Sequence, residues 1–68
     1  MEIFAKRLKE LRLENGYTQQ KVAEIIGIKQ QSYARYEADT GEPSLQTVVK
    51  IARLYGVASD YLLGLSDC

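Results

Sequence analysis

Five glycines divide this chain into short segments, and the first five segments each carry the pattern of a helix. Apolar residues recur every three or four positions within the segments, and no segment alternates as a strand would. The pattern predicts helices over about residues 2–15, 19–26, 29–37, 45–55 and 60–63. Because loops of two to seven residues join such short helices, the sequence predicts an all-α bundle with steeply crossed helices.

Residues at the segment ends are typical of helix caps. Thr18 and Ser44 precede the second and fourth segments, and their hydroxyl groups can accept hydrogen bonds from the first backbone N–H groups of a helix. Gly16, Gly27 and Gly56 follow the last apolar residue of a segment, where a left-handed residue commonly ends a helix. The predicted ends therefore agree with the predicted periodicity.

The chain is short and electrically balanced. It has 68 residues, and nine Lys and Arg oppose nine Asp and Glu, so the formal net charge is zero. A single domain of this size hides only about 60% of its unfolded surface. Zero net charge excludes a strongly basic nucleic-acid-binding chain. Residues 1–17 and 18–37 each carry one excess positive charge and residues 38–68 two excess negative charges, which predicts a modest basic face and weak binding by one copy.

Histidine is absent and Cys68 is the single cysteine. A structural zinc site needs about four Cys or His ligands and a disulfide needs two cysteines, so we expect neither, and no cofactor. No Gly-rich phosphate loop or converging pair of carboxylates indicates an enzyme. The N-terminus lacks an apolar signal region, which predicts a cytoplasmic protein. Cys68 is expected to be an unconstrained thiol, and whether it ends the natural chain stays open.

Residues 18–37 are the most informative part of the chain. Ala23 lies one helical turn before Gly27, and a small side chain there lets two helix axes approach closely. Ile26 and Ile28 flank the glycine and are expected to fill the corner. This spacing is typical of a helix-turn-helix, in which two helices meet at about 90–120° around a turn that contains glycine.

The second helix of this unit combines an apolar anchor with a polar face. Its two tyrosines are spaced for the core, which leaves an exposed set of polar, cationic and small side chains: Lys29, Gln30, Gln31, Ser32, Ala34 and Arg35. In the major groove Gln pairs with adenine N6 and N7, and Arg with guanine O6 and N7. Docking of this motif brings the N-terminal end of the second helix to the bases. We predict base contacts for Gln30, Gln31 and Arg35; ordinary solvated residues, or a surface ion pair for Arg35, are the alternatives.

Five stretches of the chain resemble the phage-repressor/Cro-like helix-turn-helix family, also called Xre-like regulators. They read LKELR (8–12), TQQKVAEIIGI (18–28), SYARYE (32–37), EPSL (42–45) and YLLG (61–64). The resemblance extends from Phe4 to Gly64 and rests on the ordered set, since no single motif is decisive. It implies a lambda-repressor-like five-helix bundle over the single domain 1–68, with helices 2 and 3 forming the helix-turn-helix.

The resemblance also implies roles for individual residues. Gln19, the first residue of the second helix, contacts a DNA phosphate together with the N-terminus of that helix. Gln30 and Gln31 read bases, as two glutamines do in certain lambdoid phage repressors, and Arg35 contacts a base or a phosphate. Gln20 is left open, because only one of two neighbouring side chains can point at the DNA.

Lys29 departs from the family pattern, which usually has Ser or Thr at that position to cap the recognition helix. The missing cap is expected to cost about 1 kcal/mol. We expect Lys29 to reach a phosphate instead, and Ser32 to contact the DNA backbone as well. The loop after the recognition helix carries two acids, Asp39 and Glu42, where the family often has Gly and then a base, which puts the loop's phosphate contacts in doubt.

Four further expectations are structural. Arg12 pairs with Glu37, as the resemblance implies. Lys6, Arg7 and Lys9 form a solvated face of the first helix, with one of them able to approach the DNA backbone. Because Ala58 replaces the family's capping Ser, the last helix is expected to take its cap from Ser59 or Asp60 and to end at Gly64. The tyrosines other than Tyr17 are expected in or beside the core.

These observations predict a sequence-specific double-stranded DNA-binding transcription regulator, of the repressor kind, that reads the major groove with the helix Gln30–Glu37. The alternative is an antitoxin-like or regulatory protein-interaction module of the same fold, whose partner supplies most of the DNA affinity.

One recognition helix reads few base pairs, so we expect a weak or DNA-induced homodimer on a palindromic operator. The candidate surface for it is the C-terminal apolar set of Tyr61, Leu62, Leu63 and Leu65; in the alternative interpretation three of these close the core and only Leu65 is exposed.

Overall fold

The computed structural model describes residues 2–67, and the regular structure in that range is entirely helical. The helices are α1 (Glu2–Glu14), α2 (Gln19–Ile26), α3 (Gln30–Glu37), α4 (Leu45–Tyr55) and α5 (Ser59–Leu62). The predicted all-α, five-helix fold is confirmed. Cys68 lies outside the described residues.

The predicted caps of α2 and α4 are confirmed. The hydroxyl oxygen of Thr18 accepts the backbone N–H of Lys21 at 3.0 Å, and that of Ser44 accepts the N–H of Thr47 at 3.1 Å. Gly27 ends α2 in the left-handed conformation, with φ of 75°. These local interactions fix where α2 and α4 begin, which in turn fixes the entry angle of each helix into the bundle.

The predicted start of the last helix is wrong by one residue. Ala58 occupies the N-cap position and has no side-chain capping bond, so neither Ser59 nor Asp60 caps the helix. The backbone decides this, because the carbonyl of Ala58 already accepts the N–H groups of Tyr61 and Leu62. Gly64 follows α5 with φ of 77°, and a Cβ at this position would lie 2.6 Å from Cγ2 of Ile3.

The core lies where α3 packs against α1 and α2, and where α4 packs against α2 and α5. Its largest fully buried side chains come from all five helices: Phe4, Leu8, Val22, Tyr33, Ile51 and Leu62. Burying an apolar side chain of this size contributes about 1.5–3 kcal/mol. The other expected tyrosines are half-buried against this cluster, which confirms that prediction. Helix α3, the predicted recognition helix, is thus anchored to the core through Tyr33.

The apolar residues of α4 are not all buried. Val48, Ile51 and Ala52 are buried, but Leu45 is 74% exposed. Leu45 is the first residue of α4. The apolar side of α4 therefore begins before the part of the helix that packs into the core.

The sequence predicts that Arg7 lies on a solvated face of α1, and this prediction is wrong. Its guanidinium lies over the Tyr61 ring, 4.2 Å from the centroid, and donates hydrogen bonds to the carbonyl oxygens of Tyr61 and, at 2.8 Å, of Ser66. Lys6 and Lys9 are exposed, as predicted. The difference arises because the C-terminal turn folds back over one side of α1, where it reaches Arg7 but neither lysine.

The C-terminal apolar residues mostly complete the core. Leu62 is buried, Tyr61 and Leu63 are half-buried against the core, and Leu65 is 75% exposed. The alternative interpretation, in which only Leu65 stays exposed, is therefore confirmed.

Candidate nucleic-acid interface

The α2–α3 unit has the tight corner that the sequence predicts. Ala23 is buried at the crossing, and its carbonyl accepts the backbone N–H of Ile28 at 3.0 Å across the glycine turn. Ile26 is buried and Ile28 is half-buried, so both fill the corner. This turn sets α3 at a fixed angle to α2.

The orientation of α3 separates its apolar side from its polar side. Tyr33 is completely buried, and Tyr36 packs edge-on against Phe4 with ring centroids 6.4 Å apart. Because these two rings face the core, Gln30, Gln31 and Arg35 lie together on the exposed side of the helix. Ser32 and Ala34 are half-buried at its margins.

Lys29 occupies the N-cap position of α3 in an extended conformation, without a side-chain capping bond. The expected loss of the cap is confirmed. Lys29 is exposed, so its ammonium group is accessible at the end of the helix that would approach the bases. The positive end of the helix dipole repels a cation at this position, and a phosphate beside both would offset that repulsion.

Glu37, at the end of α3, lies at the centre of a buried polar cluster. Its Oε2 accepts from Arg12 Nε at 2.7 Å and its Oε1 from Arg12 Nη2 at 3.1 Å. The expected Arg12–Glu37 pair is confirmed, and it is well shielded, with 13% of the Arg12 and 5% of the Glu37 side chain exposed. Arg12 Nη1 also donates to the carbonyl of Tyr17 at 3.0 Å. One guanidinium therefore connects α1, the loop before α2 and the end of α3.

Gln19 contacts the same carboxylate. Its amide nitrogen donates to Glu37 Oε1 at 3.3 Å, while the neighbouring Gln20 donates to Glu24 on the exposed side of α2, also at 3.3 Å. An amide NH₂ group has two protons, so the bond to Glu37 leaves one of those of Gln19 for another acceptor. The sequence did not reveal this contact, because it joins positions 18 residues apart.

The charges in the cluster stabilise one another. Burial by itself raises the pKa of the Glu37 carboxyl, but the polar groups around it, Arg12 first and then Tyr33 and Gln19, outweigh burial, and the pKa lies below its ordinary value. The hydrogen bond to Glu37 raises the pKa of Arg12. Burial, and then the charge of Glu37, raises the pKa of Tyr55 to about 12. At neutral pH the pair is therefore ionised and Tyr55 is neutral.

The acidic loop lies directly beside α3. The backbone N–H of Thr40 donates to the carbonyl of Arg35 at 3.0 Å, and a Cβ at Gly41 would lie 3.3 Å from Cβ of Arg35 and 3.6 Å from Cδ1 of Tyr36. Asp39 adopts a φ of 60°, in the left-handed region that Asn, Asp and Gly tolerate best. The loop therefore holds its acidic residues near the last turn of the recognition helix.

No helix within residues 2–67 is long and apolar enough to span a membrane. Over the same residues, no three His, Cys, Asp or Glu side chains are grouped as metal ligands would be.

Comparison with known proteins gives a consistent picture. Residues 8–62 match the sequence model of a helix-turn-helix family. The chain is 46% identical over 62 residues to the HTH-type transcriptional regulator ImmR of Bacillus subtilis, covering 91% of this chain and 49% of that protein. It is 43% identical over 61 residues to the SPbeta prophage-derived HTH-type transcriptional regulator YonR of Bacillus subtilis, covering 90% of this chain and 56% of that protein.

A third relative is the cryptic phage CTXphi transcriptional repressor RstR of Vibrio cholerae, which is 40% identical over 65 residues and covers 96% of this chain and 59% of its own length. The chain thus spans about half the length of the curated relatives it matches. The match covers both helices of the α2–α3 unit and the core around them. The chain belongs to the phage-repressor-like, or Xre-like, helix-turn-helix family of DNA-binding domains.

Proposed function

We propose that this domain binds double-stranded DNA sequence-specifically and acts as a transcription regulator, in the manner of a repressor. The observation that carries the proposal is the placement of Gln30, Gln31 and Arg35 on one exposed side of a helix anchored by the buried Tyr33. A helix presented in this way fits the major groove, where these side-chain types can distinguish base pairs. The names of the relatives, which are transcriptional regulators and a repressor, support it.

In the proposed complex, base and backbone contacts are divided between the two helices. Gln30, Gln31 and Arg35 contact base edges, while Gln19, Lys29 and Ser32 contact the DNA backbone and fix the register. The first backbone N–H groups of α2 have no acceptor inside the helix and point outward, so they add donors for the same phosphate. The domain needs no cofactor for this function, catalyses no reaction, and acts in the cytoplasm.

Selection of duplexes from a random pool, followed by a salt titration, tests the proposal. We expect the selected duplex to bind at least about tenfold more tightly than a scrambled one of the same length. Because the α2–α3 unit has three cations, Lys21, Lys29 and Arg35, and Arg35 is placed on a base edge, log Kobs should fall against log salt with a slope no steeper than about −3. Equal affinity for both duplexes would contradict sequence-specific binding and favour the protein-interaction alternative.

Assembly follows from the small number of bases that one helix can read. We propose that two copies bind a palindromic site with recognition helices about 34–36 Å apart, and that the dimer is weak or forms only on DNA. The apolar surface that supports this is small: Leu65 is exposed, and its neighbour Gly64 packs against the partly exposed Ile3. Two such patches bury too little area for a stable dimer in free solution.

Analytical ultracentrifugation with palindromic duplexes measures this prediction. Two copies should bind cooperatively when the half-sites are one helical turn apart, and independently when about five additional base pairs turn one half-site to the opposite face. Leu65→Asp should reduce cooperativity without changing affinity for a single half-site, whereas Leu45→Asp, at an equally exposed leucine on α4, should change neither. Strict one-to-one binding at the one-turn spacing would rule out the dimer.

A further inference from the structure

We infer that Glu37 is a positioning residue for DNA binding: it holds the amide of Gln19 in the orientation with which the start of α2 meets a phosphate. The inference rests on the proposed function and adds to it a residue that touches no DNA. The contact between Glu37 and Gln19 joins two parts of the interface, because Glu37 ends the recognition helix and Gln19 begins the helix before it.

The geometry makes one carboxylate oxygen the shared acceptor of two donors. Oε1 of Glu37 accepts from Arg12 Nη2 at 3.1 Å and from Gln19 Nε2 at 3.3 Å, while Oε2 accepts from Arg12 Nε at 2.7 Å. Because the bidentate pair with Arg12 fixes the plane of the carboxylate, the direction of its remaining lone pairs is also fixed. Gln19 is therefore bound to an acceptor that cannot rotate away.

The charge of Glu37 determines which way the amide of Gln19 faces. An ionised carboxylate only accepts hydrogen bonds, so the NH₂ group of Gln19, and not its carbonyl oxygen, must turn toward it. One amide proton then bonds to Glu37 and the other stays available to an anion. A phosphate at the start of α2 would meet that proton together with the outward backbone N–H groups of Gln19 and Gln20.

Arg12 makes this arrangement compatible with a nearby phosphate. An unpaired carboxylate beside the phosphate-binding helix end would repel DNA, but the bidentate guanidinium balances its charge. Gln20 provides the contrast on the same helix. Its amide bonds to Glu24 on the exposed surface, an i, i+4 contact within α2 that makes no connection to α3. A pre-oriented side chain loses less conformational freedom on binding than a free one. The bond to Glu37 should therefore strengthen the contact of Gln19 with DNA, whereas the bond from Gln20 to Glu24 should not.

A double-mutant cycle on DNA affinity tests the inference. Glu37→Asp keeps the charge but shortens the side chain, so that one carboxylate can no longer reach both Arg12 and Gln19. We expect Glu37→Asp to weaken binding to the selected duplex by about three- to tenfold. In a Gln19→Ala background the same substitution should have almost no further effect, because the group it positions is gone. In a Gln20→Ala background it should retain its full effect.

The outcomes are separable. A loss that persists undiminished in the Gln19→Ala background, or no loss from Glu37→Asp in the otherwise unchanged protein, would overturn the inference, since Glu37 would then act through the fold alone or not at all. Failure of the unchanged protein to prefer the selected duplex would instead refute the proposed function. Circular dichroism at the temperature of the binding assay establishes that each variant is folded.

Side-chain amide NMR of the unaltered protein tests the contact without any variant, and decides the matter if Glu37→Asp does not fold. One Nε2 proton of Gln19 should lie downfield of its position in a free amide and exchange slowly with water, and its shift should respond to titration of Glu37. The Nε2 protons of Gln46, exposed on α4, should behave as those of a free amide. Nε2 proton shifts and exchange rates on Gln19 equal to those of Gln46 would overturn the inference.

Discussion

Replacing Arg12 with alanine should destabilise this domain by about 3–5 kcal/mol, because it leaves the buried Glu37 carboxylate without its charged partner. A domain of this length has a free energy of unfolding of only about 3–10 kcal/mol in total. The variant is therefore expected to lose at least about 12 °C in Tm. Thermal and urea denaturation followed by circular dichroism measure both quantities.

Arg53→Ala is the matched control, since it removes an equally charged but exposed arginine from α4. It should change the free energy of unfolding by no more than about 0.5 kcal/mol. If Arg12→Ala were no more destabilising than Arg53→Ala, the Arg12–Glu37 pair would contribute no more to the free energy of unfolding than a surface ion pair does.

The effect of Arg12→Ala should also depend on pH. In the unaltered protein the pKa of Glu37 is lowered, so its contribution to stability is complete above the pKa of the unfolded chain and is lost as pH falls through the folded-state pKa. In the variant, burial without the guanidinium favours the protonated carboxyl, and acidification relieves the penalty. The difference in stability between the two proteins should therefore shrink as pH is lowered.

Gln30→Ala and Gln31→Ala should each weaken binding to the selected duplex by about 1–3 kcal/mol, or roughly 5- to 150-fold. The physical reason is the loss of paired hydrogen bonds to a base edge, which a methyl group cannot replace. Affinity for a scrambled duplex should hardly change, because phosphate contacts dominate non-specific binding. Fluorescence anisotropy with both duplexes measures the ratio.

Gln46→Ala is the control here, because it removes an exposed glutamine from α4 and leaves α3 unchanged. It should alter neither affinity nor stability. Replacing adenines of the selected duplex by 7-deazaadenine removes the N7 acceptor and should reproduce the loss at the positions that each glutamine reads. Unchanged affinity of both Gln30→Ala and Gln31→Ala would mean that α3 does not read the bases in the proposed way.

Local sequence patterns were enough to predict most of the fold. Thr18 and Ser44 carry hydroxyl groups that cap a helix through atoms three residues away, and Gly27 tolerates the left-handed turn that ends α2. These interactions span one helical turn, so the sequence encodes them directly. The exposed side of α3 followed in the same way, because Tyr33 and Tyr36 at helical spacing leave the opposite side of a short helix free.

Apart from the Arg12–Glu37 pair, which the family resemblance implied, only the tertiary structure decided the contacts that join distant segments. Arg7 and Lys9 look alike on the sequence of α1, yet the C-terminal turn covers one and leaves the other in water. Leu45 continues an apolar stripe that the core does not reach. The bond from Gln19 to Glu37 depends on the angle at which α2 and α3 meet, and on a guanidinium from α1 that fixes the carboxylate between them. Helical periodicity determines which side of each helix is apolar, but the lengths and crossing angles of the packed helices determine which polar atoms come within hydrogen-bonding distance.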